Sequence, residues 1–423
     1  MELFVIGVNH RTASLETRGC VAFAQGQAQE ALKRLRIACP EQGFVLLSTC
    51  NRTELYGTLT VHGKAPLACM LIVLEGRSWE STDLLDSLYE IQGRQAVEHL
   101  FRVSAALDSM LVGEDQILGQ VKTALEDARE AKATTSNLEM WIRRAVTAGK
   151  RVKAETGISK NSLSLGTLAV KAAVQKLGDL KSARALVIGS GKMGELALRN
   201  LIQAGVRDVL VTVRTKHGKG GSLSDKYPQV QTVDYDDRMR MVDSCDIVVS
   251  ATQCPFYTVK KDSVAENLHS SRHRLFLDLA VPRDIDPEVA SLPGCDYLDL
   301  DSLQMIAAGN HDLRMGEVAK AEAILAEELQ DLDRWWMHRK AMPTLRRLQV
   351  NLKKKWKQSE SLMWKRAGIS DEAGSIPAKE WSELYGELAT DTIETLFYRL
   401  REHSTPEETE VLYRTLDRAF RKW

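Results

Sequence analysis

The sequence predicts an α/β multidomain chain with an all-helical C-terminal region. Three observations lead there. Short Val/Ile/Leu-rich runs alternate with helical segments between about 160 and 300. A strand-then-helix pattern fills about 1–155, and from about 305 to 423 apolar residues recur only at helical spacing. The length of 423 residues suits about three domains of roughly 150 residues each.

The elements follow in order. Met1 to His10 contains a short strand, Leu3-Phe4-Val5-Ile6, and then a polar loop. Phe44-Val45-Leu46-Leu47 is a second apolar run, and it stops where Ser48-Thr49-Cys50-Asn51 begins. Gln92 to Lys153 is mostly helical, with Val97, Leu100 and Phe101 and then Leu118, Val121 and Leu125 spaced by three and four. Ala185-Leu186-Val187-Ile188, Asp208 to Val213, Asp246 to Ser250 and Leu275 to Leu279 are strands, with a helix from about Met193 to Ala204. Such strands between helices imply a parallel sheet covered on both faces. In the third region Val318, Ala321, Leu325, Leu329, Leu332 and Trp336 form a helical stripe, and Pro343 is expected to interrupt or kink it. Gly368 to Asp371 and Ser375 to Pro377 read as loops.

Composition excludes several classes. Lys+Arg and Asp+Glu are equal at 57 each, so any polyanion must be met by local patches. No apolar run approaches the roughly 18 residues that span a bilayer, and the N-terminus lacks a leader pattern. The expectation is a cytoplasmic protein without a membrane partner. The seven cysteines contain no C-x-x-C pair, which argues against a zinc site or disulfide framework.

Gly189-Ser190-Gly191-Lys192-Met193-Gly194 directly follows a strand and opens a helix. In that context the first glycine permits a tight turn, the second lets backbone approach a pyrophosphate, and the third allows close helix–strand packing. The helix N-terminus adds N–H donors for phosphate. The next strand ends at Val213-Arg214-Thr215-Lys216, where an NAD site usually carries an acid. Arg214, Lys216 and Lys219 stand there instead, so the expected cofactor is NADP(H), with Arg214 on the 2′-phosphate.

Cys50 lies at the end of a strand within Ser48-Thr49-Cys50-Asn51-Arg52-Thr53-Glu54-Leu55-Tyr56. Arg52, two residues away, is a cation of the kind that depresses a thiol pKa and favours the nucleophilic thiolate. With Gly7 to Ala13, the block His99 to Val103, Leu107 to Met110, Gly113-Glu114 and Gln116 to Lys122, and Leu277 to Asp286, this segment resembles the glutamyl-tRNA reductase family. The likeness is strong to about residue 340.

The resemblance implies an N-terminal α/β catalytic domain, a Rossmann NADPH-binding domain, and a C-terminal all-helical dimerisation domain joined by a long helix around 305–340. It implies that Cys50 is the nucleophile and that His99 lies near the reacting carbonyl. Thr49, Asn51 and Arg52 would line the glutamyl pocket, with Arg52 on a substrate carboxylate. Ser109, Glu114, Asp115, Gln116 and Gln120 would complete it, Glu114 suiting an ammonium group. Gly189, Ser190, Gly191, Lys192, Met193 and Gly194 would hold NADPH. The implied reaction displaces tRNA from glutamyl-tRNA(Glu) as a Cys50 thioester and reduces that to glutamate-1-semialdehyde, the first step of tetrapyrrole synthesis. The implied partners are a second copy of the chain, forming a homodimer, and glutamate-1-semialdehyde aminotransferase.

The sequence departs from the family pattern at Asp115 in place of proline, Ala106 in place of glycine, and Val213 in place of asparagine. Arg143-Arg144, Lys150-Arg151-Lys153, Arg346-Arg347 and Lys353 to Lys357 are basic runs that either contact tRNA phosphates or form solvated helix faces. Two other readings stay open at this point. One is an NADP-dependent dehydrogenase of a free small molecule; the other is a non-catalytic relative that binds tRNA or a partner enzyme.

Overall fold

The structure is a computed structural model. It describes residues 2–24, 26–77, 83–114, 116–159, 165–213, 226–252, 254–308 and 315–367, and isolated positions after 386. The chain divides into two compact units, 1–325 and 326–423.

The first unit contains two sheets. The N-terminal one has β1 (Glu2–Asn9), β2 (Phe44–Ser48), β3 (Arg52–Leu59) and β4 (Tyr89–Gln92) in the order β2-β3-β1-β4, with neighbours antiparallel. β1 is central and apolar along nearly its whole length, because Leu3, Phe4, Val5, Ile6 and Val8 are all buried. The predicted strand at Phe44 forms, and the polar segment after it turns back as β3. Ser48 pairs with Thr53, so Thr49 to Arg52 make the hairpin end that carries Cys50. The helical stretch resolves into Gly93–Ser104, Gln116–Glu130 and Ser136–Glu155.

The second sheet has β5 (Arg184–Ile188), β6 (Asp208–Val213), β7 (Val230–Asp234), β8 (Ile247–Ser250), β9 (Arg274–Asp278) and β10 (Cys295–Leu298). All pair in parallel, in the order β10-β9-β8-β5-β6-β7. Counted from β5, this is the doubly wound 3-2-1-4-5-6 order of a Rossmann sheet. β5 and β8 flank the point where the winding reverses, so the crevice for a ligand opens beyond Ile188 and Ser250. One apolar cluster lies on each face of the sheet, as the parallel reading requires.

The glycine turn meets its three structural demands. Gly189 has φ +106°, and a Cβ there would lie 2.7 Å from the Ala251 carbonyl oxygen. A Cβ on Gly194 would lie 1.8 Å from the Gly189 carbonyl oxygen, so helix Lys192–Gln203 packs against the turn only with glycine. Gly191 differs: a Cβ there meets nothing within 4 Å. Its own fold does not demand glycine, and the space above it is open.

The helix Met315–Ala367 runs through Pro343 without interruption, so of the expected break or kink the break does not occur. The missing N–H and the ring clash carry a local cost of about 3 kcal/mol, which the remaining turns of a 53-residue helix absorb. Of the stripe, Ala321, Leu325, Leu329 and Leu332 are buried within this single chain. Arg214, Lys216, Lys219, Asp115 and the loops at 368–371 and 375–377 lie outside the described residues.

Candidate active site

The hairpin end that bears Cys50 is tied by its own side chains. The Thr49 hydroxyl accepts from the backbone N–H groups of Asn51 and Arg52, both at 3.2 Å. The Thr49 N–H donates to the Arg52 carbonyl at 2.8 Å. Asn51 is buried, and its carbonyl accepts from the His10 N–H at 2.9 Å. Cys50 is left half-buried at the tip and packs against the apolar cluster on one face of the Rossmann sheet. Met193 of the glycine turn and Leu111 belong to the same packing. Gln116 completes the link: its Nε2 lies 3.6 Å from the Met193 sulfur. Cys50, Met193 and Leu111 thus belong to one packed cluster, with Gln116 beside Met193.

Behind the cysteine is a buried charge network. Arg52 is 1% exposed. Its Nη1 donates to Glu54 Oε1 at 2.6 Å and Asp108 Oδ2 at 3.1 Å, and its Nη2 to the Asp108 carbonyl. Glu54 is wholly buried and also accepts from the Tyr56 and Tyr89 hydroxyls. His99 Nε2 lies 3.0 Å from Glu54 Oε1 and is 12% exposed. Burial alone would raise the Glu54 carboxyl, but the Arg52 cation and His99 hold it well below the usual carboxylate range. An ionised carboxylate only accepts, so Nε2 is the protonated ring nitrogen in this pair. His99 thus turns its Nε2 to Glu54 rather than towards Cys50.

Arg52 does lower the Cys50 thiol, as expected, but its pull is outweighed. Burial, and then the Glu114 carboxylate, push the Cys50 thiol up to about 12. Arg18 lowers it more than Arg52, which is itself engaged by Glu54 and Asp108. His10 is also displaced. Burial and the cations Arg52 and Arg11 bring it down to about 4, so it is neutral at pH 7.

Ser109 is buried in the compact turns from 105 to 114, and Glu114 follows in the same segment. Gln116 is exposed and Gln120 half-exposed on helix Gln116–Glu130. Ser190, Gly191 and Lys192 are exposed, while Gly194 is buried under the turn. Sequence reasoning passed over Glu54, Asp108, Tyr89 and Arg18. Asp108 carried one legible signal, an acid that follows the apolar run Ala105-Ala106-Leu107. Among the described residues no cluster of three or more His, Cys, Asp and Glu is placed to hold a metal ion. No helix among them is long and apolar enough to cross a membrane.

Residues 6–156 match the family model of the glutamyl-tRNAGlu reductase N-terminal domain, and residues 171–306 match that of shikimate/quinate 5-dehydrogenase. The chain is 34% identical to a glutamyl-tRNA reductase of Heliobacterium mobile over 426 residues, covering 99% of this chain and 94% of that one. It is 38% identical to one of Deinococcus radiodurans over 341 residues, covering 80% and 94%. Among solved structures, the glutamyl-tRNA reductase from Methanopyrus kandleri aligns at 30% identity over 99% of this chain and 98% of that chain, with a TM-score of 0.45. Similarity of this extent, running through both the cysteine-bearing domain and the Rossmann sheet, places the chain in the glutamyl-tRNA reductase family.

Proposed function

We propose that this oxidoreductase takes the glutamyl group of glutamyl-tRNA(Glu) onto Cys50 and delivers it as glutamate-1-semialdehyde, with NADPH as the reductant. The observation that carries the reading is this packing: Cys50 and Met193 pack on one cluster, and Gln116 lies 3.6 Å from the Met193 sulfur. A thiol held there can be acylated from one side and reduced from the other.

The aminoacyl ester is already activated. The Cys50 sulfur attacks its carbonyl, the bond to the ribose oxygen breaks, and the thiol proton leaves with the tRNA hydroxyl. The Thr49 turn holds the sulfur at the tip, and packing against the apolar cluster keeps water from the thioester. Glu54 orients Arg52 and His99, and the Arg52 donors not used by Glu54 and Asp108 serve a substrate carboxylate. Glu114, which lies within electrostatic reach of Cys50, suits the substrate ammonium. The residues present fit a dinucleotide: the space over Gly191 and the N-terminus of helix Lys192–Gln203 suit its pyrophosphate, and Arg214 the 2′-phosphate. When bound, NADPH supplies the hydride that reduces the thioester, and collapse of the hemithioacetal frees the thiol.

The reading extends to a homodimer through the C-terminal helical region, to tRNA contact by the exposed Arg143 and Lys150 faces, and to hand-over of the aldehyde to glutamate-1-semialdehyde aminotransferase in the cytoplasm. The test compares NADPH and NADH oxidation with glutamyl-tRNA and with free glutamate. Oxidation of NADPH with glutamyl-tRNA alone is expected. Turnover of free glutamate, or equal use of both nucleotides, contradicts it.

A further inference from the structure

We propose that Arg18, rather than Arg52, is the cation the Cys50 thiolate faces as it forms, and that Asp301 of the Rossmann sheet's last helix sets how much of that charge Cys50 receives. The inference rests on the reading of Cys50 as the reacting thiol.

Arg18 lies on helix Leu15–Val21 and is 2% exposed. Its Nη2 donates to Asp301 Oδ1 at 2.6 Å. Its Nε and Nη1 are buried and have no hydrogen-bond partner among the described residues. Buried donors are nearly always satisfied, so a guanidinium with two open ones is built to meet an acceptor that arrives during function. Arg52 is the opposite case. Two carboxylates, Glu54 and Asp108, meet it, whereas among the described residues Arg18 pairs with Asp301 alone, whose side chain is 43% exposed and screened by water. The surplus positive charge belongs to Arg18.

The packing brings the Arg18 helix to the cluster against which Cys50 packs. Leu15, on the same helix, lies in the cluster against which Cys50 packs. A Cβ on Gly19 would be 3.3 Å from Pro282, so the helix lies against the Rossmann sheet's loops. The groups within reach of Cys50 are Glu114 from the 105–114 turns, Arg18 from this helix, and Arg52 from β3. Arg18 outweighs Arg52 among the cations that lower its thiol. His10 also senses Arg18, and its own buried Nδ1 has no partner among the described residues. Arg18 acts through the sulfur's charge and is therefore a positioning residue.

The test reads the charge of Cys50 directly, as the rate of its alkylation by iodoacetamide in the full-length protein, followed by peptide mass. Arg18→Met is expected to slow alkylation at fixed pH by about tenfold or more, one pKa unit being a factor of ten. Arg18→Lys, which keeps the charge, restores most of the rate. Asp301→Asn releases the Arg18 charge and is expected to speed alkylation several-fold. Arg52→Met should change it less than Arg18→Met does. Opposite signs at Arg18 and Asp301 are the signature, since a variant that merely loosened the pocket would speed both. Unchanged rates for Arg18→Met, shifts of one sign in both variants, or a larger effect from Arg52→Met overturns the proposal. Should Arg18→Met fail to fold, Asp301→Asn and Arg18→Lys still decide it. Alkylation reports the thiol's charge whatever Cys50 does in turnover, so failure here is distinct from retention of activity in Cys50→Ser.

Discussion

Glu54 gathers Arg52, Tyr56, Tyr89 and His99 around one buried carboxylate. Removing its charge leaves the Arg52 guanidinium in the interior with Asp108 alone. Breaking a buried pair from one side costs about 3–5 kcal/mol, so Glu54→Gln, which keeps some hydrogen bonds, should destabilise by at least about 2 kcal/mol in urea unfolding. A change within error would mean the network contributes nothing. The sign with pH agrees: the folded carboxyl is depressed, so its stabilisation is present above the unfolded value of about 4.3 and fades as pH falls further. At this scale the sequence revealed which residues cluster but not what each one faces. Cys50, Arg52 and His99 were legible as a group, because reactive and charged residues stand out at the end of an apolar strand. That Arg52 meets two carboxylates and Arg18 one was illegible, since the partners Asp108 and Asp301 lie 56 and 283 residues away.

The turns from 105 to 114 hold Ser109 and Glu114 through two left-handed positions, Ala106 at φ +58° and Gly113 at φ +84°. The Gly113 N–H closes the segment on the Ala106 carbonyl at 3.0 Å. An alanine there carries about 1 kcal/mol of backbone strain that glycine lacks. Ala106→Gly is therefore expected to raise unfolding stability by roughly 0.5–1 kcal/mol; a loss would contradict the strain. In the dinucleotide turn the two helix-side glycines should part company. Gly194→Ala must displace the Gly189 carbonyl and should unfold the turn, whereas Gly191→Ala should melt as the parent does and bind NADPH more weakly by fluorescence titration. Identical behaviour of the two variants would contradict the assigned roles.

The strands the sequence announced are β1, β2, β5, β6, β8 and β9, most of them flanked on both sides within a sheet. Those it hid are of two kinds. β4, β7 and β10 are edge strands, whose half-exposed residues never form an apolar run. β3 is central, but Arg52, Thr53, Glu54 and Thr58 are buried for the polar network, so a core strand reads as polar. Pro343 misled in the other direction, because a proline marks a local cost and not a boundary when a long helix continues on both sides.

At the scale of the whole molecule, the α/β, Rossmann and helical regions were legible because periodicity changes between them. The apolar stripe of the third region was a weaker guide, since part of it is buried within one chain and does not by itself demand a second copy. The central claim is sequential chemistry: acylation at the hairpin cysteine, then reduction from the glycine turn. Its most direct measurement is the yield of glutamate and of semialdehyde from labelled glutamyl-tRNA, with NADPH present, for the parent, Cys50→Ser and Gly191→Asp proteins. The parent should make semialdehyde, and Cys50→Ser neither product. Gly191→Asp sets a carboxylate against the pyrophosphate, so it should still release tRNA and yield free glutamate by slow thioester hydrolysis, but no semialdehyde. Semialdehyde formed by Cys50→Ser, or a folded Gly191→Asp protein that releases no glutamate, would contradict the account.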